Sequence, residues 1–294
     1  MRVMIFGAGF SGKAAGALLA SAGHTVFGTT RSAEKAHMLG DSGIQPLIFD
    51  GQTVSPEVES ELSTVTHLVQ SIAPGQEGDP LIRLFGKQGL RSAMPALQWV
   101  CYYSTVGVYG DHDGAWVNEE SPLSPVSQRS LERVEAENGW LELGSRDDLP
   151  VAILRLSGIY GPGRNTFHNI AKGTARRLVK KDQVFNRIRV EDIARATAFL
   201  AERNTGGIFN ITDDEPCPPQ DVVTEACRLA GIEPPPEQPF ETADLTPMAR
   251  SFYGENKRVS NGKIKALGFS FLHGNYKQSL EELYHLEGWN KFAF

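Results

Sequence analysis

Cysteine is scarce in this chain: three residues in 294, Cys101, Cys217 and Cys227, widely spaced and without a C-x-x-C pair. That excludes a disulfide framework and suits a reducing cytoplasm. Long hydrophobic runs are also missing. The apolar opening MRVMIFGAGF meets glycines almost at once, so it reads as neither a signal peptide nor a spanning helix. Positive charge is not in excess. A formal net charge of -6 and a pI near 5.7 argue against a general binder of nucleic acid or anionic membrane, both of which need a basic surface. The seven histidines form no H-E-x-x-H or related spacing, so no metal is expected. No internal repeat or low-complexity linker breaks the chain. Lysine is absent between Lys87 and Lys172, and tyrosine between Tyr109 and Tyr160. With 40% hydrophobic residues, what remains is a soluble, cytoplasmic protein large enough for one domain with a smaller lobe.

What is present alternates. An apolar run from Val3 to Phe6 leads into glycines and then KAAGALLASAG, a strong helix former ending at Gly23. TVFGTT, PLIFD, THLVQSIA and QWVCYYST read as further strands with helix-compatible segments between most of them, and PVAILRLSGIYGPG and GGIFNIT follow later. Strands alternating with helices predict an α/β fold: a Rossmann-type doubly wound parallel sheet, with a smaller C-terminal substrate-binding lobe. The expected division is 1–164 for the dinucleotide-binding domain and 165–294 mostly for the lobe, with about 185–212 returning to the sheet domain. The proline-rich EPPPEQPFE, 233–241, reads as an exposed loop.

GAGFSG, Gly7 to Gly12, is G-x-G-x-x-G placed between the first strand and the first helix. Gly7 allows the tight turn, Gly9 lets a pyrophosphate approach the backbone, and Gly12 permits close helix packing. Phe10 and Ser11 complete the loop, whose helix N-terminus favours negative charge. A carboxylate at the end of the second strand would hold the ribose of NAD; the sequence has GTTRS instead. Arg31, with the hydroxyls of Thr29, Thr30 and Ser32, suits a 2′-phosphate, so NADP is favoured over NAD. Asp50, ending the third strand, could bond the adenine amine or cap the next turn. Ser71, Ile72 and Ala73, after the fourth strand, complete the expected cofactor set.

These segments resemble the extended short-chain dehydrogenase/reductase family, the NAD-dependent epimerase/dehydratase group. The resemblance rests on GAGFSG, YYSTVGVYGD, LRLSGIYGPG, NRIRVEDIARA, GGIFNITDDEP and NKRVSNGKIKALGF, and runs almost end to end. It implies hydride chemistry by a Ser or Thr, a Tyr, and a Lys four residues after the Tyr. Thr105 matches the Ser/Thr and is expected to orient substrate. The Tyr and Lys have no counterpart: one alignment of SPVSQRSLERVEAE puts Ser127 and Leu131 there, another Arg129 and Arg133. Tyr109, the nearest phenol in sequence, is a candidate for proton transfer, although the resemblance makes it structural or substrate-lining. Arg129 or Arg133 could neutralise the nicotinamide ribose region or polarise a carbonyl, the alternative being a solvated helix face. Leu131, Val134 and Leu141 fall at helical spacing and predict a core-facing side.

Arg164, Arg187 and Arg189 lie in segments that line the substrate cleft in the family and would clamp an anionic substrate. Arg176, Arg177, Lys180 and Lys181 of ARRLVKK read as a basic, solvated helix face. GDHDG, 110–114, reads as a solvated loop. The favoured reading is an atypical NAD(P)-dependent epimerase/dehydratase-like oxidoreductase acting on a small, sugar-like or nucleotide-linked substrate. The alternative is a non-catalytic NADP(H)-binding redox-sensing or regulatory protein. A homodimer through the helices after the fourth and fifth strands is what the family implies.

Overall fold

The computed structural model of the chain describes residues 1–289. Two compact units interleave along the sequence. The first comprises Met1–Val108, Ser127–Leu156 and Ile193–Phe209; the second comprises Tyr109–Val126, Ser157–Asp192 and the described residues from Asn210 onward. The boundary expected at 164 coincides with none of these crossings, and the expected return near 185–212 overlaps Ile193–Phe209.

The first unit is built on a seven-stranded parallel sheet. Its strands include β1 (Arg2–Phe6), β2 (Thr25–Thr30), β3 (Gln45–Ile48), β4 (His67–Gln70) and β5 (Trp99–Thr105). From one edge the order is Gly207–Ile211, Val151–Leu156, β5, β4, β1, β2, β3. Val3 to Phe6 are all buried because helices cover both faces of the sheet. The chain leaves β1 with β2 on one side and β4 on the other, so the ends of β1 and β4 form the switch point where such sheets bind ligands.

Helix α1 (Phe10–Ser21) buries Ser11, Gly12, Ala15, Gly16 and Leu19, small residues for the most part, on one face. They let it approach the sheet closely: a Cβ on Gly16 would stand 2.7 Å from Ile44 Cδ1. Helix α2 (Ala33–Gly40) follows β2, α3 (Pro56–Leu62) precedes β4, and α4 (Pro80–Phe85) and α5 (Leu90–Ala93) precede β5. The longest helix, α6 (Gln128–Asp147), carries the stretch without Tyr or Lys.

The face of α6 differs from expectation. Leu131 and Leu141 are 44% and 36% exposed, while Ser130, Ala136, Glu137, Trp140, Leu143 and Gly144 are buried. Two features set this rotation. Gly144 sits so close to the sheet that a Cβ there would meet Val151 Cγ2 at 2.4 Å. Glu137 finds its partners inside, where Arg155 Nη2 donates to it at 2.7 Å.

The second unit pairs short strands in parallel: Gly158–Tyr160 with Arg187–Arg189, Arg177–Val179 with Glu237–Pro239, and Trp116–Val117 with Arg258–Val259. ARRLVKK is therefore partly a strand, not a basic helix face. The backbone of Arg177–Val179 finds its ladder partners in 237–239, and the cations are used locally: Arg177 pairs with Glu237, and Lys180 donates to the Tyr253 carbonyl. The proline-rich 233–241 stays largely exposed but supplies that edge strand. A core of Phe167, Val222, Ala226, Tyr276, Leu280, Leu283 and Trp289 holds the unit together.

One buried network in this unit predicts a pH response. His273 Nδ1 lies 3.1 Å from Asp192 Oδ2, and its Nε2 lies 2.9 Å from Glu282. Burial lowers the His273 pKa, but the bond to Asp192 and the charges of Asp192 and Glu282 together outweigh it, and the net shift is upward from 6.5. Burial raises the Asp192 pKa, but hydrogen bonds from the His273 side chain and two backbone N–H groups leave it below 3.8. Stability from His273 is thus complete below its unfolded pKa and is lost as pH rises through the raised folded value. Stability from Asp192 is present above its unfolded pKa and is lost as pH falls through the depressed folded value. Melting temperatures of His273→Gln against the parent should therefore differ more at about pH 5.5 than at about pH 8.5. An equal difference at both would refute the network's charge.

Candidate functional site

The loop from Gly7 to Gly12 closes on itself. Gly7 has φ +82°, and a Cβ there would lie 3.0 Å from the backbone nitrogen of Ile72. A Cβ on Gly12 would lie 2.8 Å from the Gly7 carbonyl oxygen. Both glycines are required by the protein's own packing. Gly9 differs, because among the described residues a Cβ on it would meet nothing nearer than the Gly7 oxygen at 3.9 Å. The open side of the loop lies there, over the first turn of α1, which has no side-chain cap and no acidic residue. Phe10 and Ser11 form that turn, Ser11 being buried. A helix N-terminus without a side-chain cap, beside the open space at Gly9, suits a pyrophosphate.

The loop is tied to β2. Gly7 N–H donates to Thr29 Oγ1 and Ala8 N–H to the Thr29 carbonyl, each at 2.9 Å. Thr29 is buried, so its hydroxyl serves the loop and is not a phosphate donor. Arg31 is exposed just beyond, with no hydrogen-bond or ion-pair partner among the described residues. Thr30 beside it is half-buried. Ser32 caps α2, its oxygen accepting from Lys35 N–H. Asp50 Oδ1 accepts from the N–H groups of Gln52 and Thr53 at 2.7 and 2.9 Å. Those bonds, from Thr53 first, hold its carboxyl below the usual range, and the turn-capping alternative describes its contacts. Ser71, Ile72 and Ala73 follow β4 and lie against the loop through Ile72 and Gly7.

At the end of β5, Thr105 is half-buried and its Oγ1 accepts from Gly107 N–H at 3.1 Å. Its hydroxyl hydrogen has no acceptor among the described residues. Beside it stands Ser130, a residue the sequence reading missed: a Cβ on Gly107 would lie 2.9 Å from Ser130 Oγ and 3.4 Å from Thr105 Oγ1. The readable signal was the spacing from Ser127, which caps α6 and donates to Ser130 Oγ at 2.9 Å. Arg133 is the α6 cation that reaches β5. It lies over the Tyr102 ring and donates to the Tyr102 hydroxyl and the Tyr103 carbonyl, so it is not a solvated surface charge. Arg129 is exposed on the first turn.

In the second unit, Tyr109 is fully buried and its hydroxyl donates to Asn210 Oδ1 at 2.7 Å. That corrects its candidacy for proton transfer, since the phenol is enclosed and already bonded. Arg189 is likewise corrected as an anion clamp: it has no exposure, and Glu191, Ser279 and Glu282 take up its guanidinium. Arg164 is exposed in the turn that follows Gly161. Arg187 is half-buried, with Nη1 donating to the Phe185 carbonyl and to Cys217. Close to Arg187 is Asp213, which the sequence reading did not single out. Burial pushes its carboxyl up to about 8 against the pull of Arg187, and Oδ2 has no hydrogen-bond partner among the described residues.

The family model described as NAD dependent epimerase/dehydratase matches residues 3–212. The chain belongs to that family. A functionally unknown conserved protein from Silicibacter pomeroyi is 43% identical over 97% of this chain and 99% of its own, with a TM-score of 0.87. Two more distant structures share the fold. The dTDP-glucose 4,6-dehydratase of Bacillus anthracis, in complex with NAD, is 18% identical over 99% of this chain and 97% of its own, with a TM-score of 0.77. The human epimerase family protein SDR39U1 (isoform 2), with NADPH, is 18% identical over 97% and 99%, with a TM-score of 0.73. None of the curated proteins compared matches the chain.

As a member of this family, the chain has an NAD(P)-binding Rossmann-type fold. Within it, α6 has its capping serine and its buried Glu137 without a tyrosine or lysine. Among the described residues, no group of three or more His, Cys, Asp or Glu is placed to hold a metal, and no helix is long and apolar enough to cross a membrane.

Proposed function

We propose that this protein is an atypical NADP(H)-dependent oxidoreductase or epimerase-like enzyme, cytoplasmic, acting on a small sugar-like or nucleotide-linked substrate. The observation that carries the reading is the cradle: an open Gly9, an uncapped α1 N-terminus and an unpartnered Arg31 lie beyond the carboxyl ends of β1 and β2. Gly7–Gly12 would hold the pyrophosphate, Arg31 with Thr30 and Ser32 the 2′-phosphate, and Ser71–Ala73 would flank the loop. Bound there, the nicotinamide would supply hydride. Thr105, with a hydroxyl hydrogen to give, orients the substrate, and Arg133 sets the polarity at the end of β5. Arg187 and Arg164 remain the candidates for anionic substrate groups, and a homodimer fits the family.

Calorimetric titration with NADPH and NADH tests the reading. Tight NADPH binding with much weaker NADH binding is expected; binding of neither would end it. Once a substrate is in hand, Thr105→Ala should lower kcat/KM by about tenfold to a hundredfold, the loss of one directed hydrogen bond, with NADPH affinity unchanged. Unchanged turnover would remove Thr105 from the site.

A second reading is favoured by one observation. With no Tyr or Lys on α6 to move a proton, the same cradle fits a non-catalytic protein whose cofactor state is read by a partner.

A further inference from the structure

Gln70 ends β4, wholly buried, and its amide is used at both ends. Its Oε1 accepts from Ile72 N–H at 3.2 Å. Its Nε2 donates to both carboxylate oxygens of Asp79, at 3.0 and 2.9 Å. Asp79, also buried, caps α4 by accepting from the N–H groups of Leu81 and Ile82, and accepts from Trp140 Nε1 at 3.2 Å. Gln70, Leu81, Ile82 and Trp140 thus all donate N–H groups to this carboxylate.

The polarity of that arrangement has one consequence. An ionised carboxylate only accepts, so it dictates that the Gln70 amide turns its nitrogen inward and its oxygen outward. The oxygen then meets the Ile72 N–H. Ile72 is the residue whose backbone nitrogen and side chain press on Gly7, at 3.0 and 2.7 Å from where a Cβ would stand. The amide orientation therefore places the segment that closes over the phosphate loop.

We propose that Gln70 is a positioning residue for the dinucleotide cradle, its amide oriented by the Asp79 carboxylate so that it holds Ile72 against Gly7. This rests on the cofactor reading above, and two readouts separate the two claims. Asp79→Asn can cap α4 through its oxygen, but then presents N–H to Gln70 and turns the amide over. Two donors, Gln70 Nε2 and Ile72 N–H, would then face each other. The double variant Gln70→Glu with Asp79→Asn restores the pattern between β4 and the α4 cap, though not the bond from Trp140, which both variants lose alike: one oxygen of the carboxylate introduced on β4 accepts from the amide introduced at the α4 cap, and the other accepts from Ile72 N–H.

The measurements are hydrogen exchange at the Ile72 amide in the unliganded protein, and NADPH affinity by calorimetry. In Asp79→Asn we expect the Ile72 amide to lose protection and NADPH to bind about tenfold more weakly, with both recovered in the double variant. A global loss of fold would lower protection everywhere and would not be rescued by moving a charge from one residue to the other. If Asp79→Asn leaves Ile72 exchange and NADPH affinity as in the parent, or the double variant is no better than the single, the assignment is wrong. If the parent itself binds neither NADPH nor NADH, the cofactor reading fails, and Ile72 exchange still decides whether Asp79 orients Gln70.

Discussion

Glu137→Ala should destabilise the protein by about 3–5 kcal/mol, the usual cost of breaking a buried ion pair by removing one partner. The side chains of Glu137 and Arg155 are 2% and 3% exposed. Arg155 donates to both carboxylate oxygens, through Nε at 3.1 and 3.2 Å and through Nη2 at 2.7 Å. Ser104 on β5 donates a further hydrogen bond to the same carboxylate. One acid on α6 thus pins the helix to two neighbouring strands. Removing it takes the carboxylate away from a buried guanidinium, while Glu137→Gln keeps part of the hydrogen bonding and should cost less. Urea unfolding measures both. A loss under about 1 kcal/mol for the alanine variant would mean that the Glu137–Arg155 pair does not hold α6 in place.

Arg31→Ala should weaken NADPH binding by about tenfold to a hundredfold while leaving NADH affinity within about twofold. The range follows from one or two charge-assisted hydrogen bonds to a phosphate, at about 1.5–3 kcal/mol, with about 1.4 kcal/mol for each tenfold. The argument rests on placement. Arg31 follows directly on β2, is exposed, and has no internal partner to give up. No carboxylate stands in GTTRS to hold ribose hydroxyls. Because the site is exposed, the NADPH preference should also shrink as salt is raised. Equal losses for both nucleotides would assign Arg31 to the shared pyrophosphate, and no loss for either would leave it a surface charge.

The alternation of strands and helices and the placement of GAGFSG determined the α/β sheet and its tight Gly7–Gly12 loop, because hydrophobic period and glycine conformation are local properties written residue by residue. The missing Tyr and Lys were equally legible, since an absence over tens of residues survives any alignment. What lay beyond the sequence were the partners of polar side chains. Nothing near Tyr109 announces Asn210, nothing near Arg189 announces Ser279 or Glu282, and Gln70 and Asp79 acquire meaning only where β4, α4 and α6 meet. The face of α6 went the same way: its spacing offered Leu131 and Leu141, and the buried pair of Glu137 with Arg155 chose the other side. Tertiary structure decides such cases because a buried charge or donor must be satisfied wherever its partner lies, and that demand outweighs the pull of two leucines toward the core.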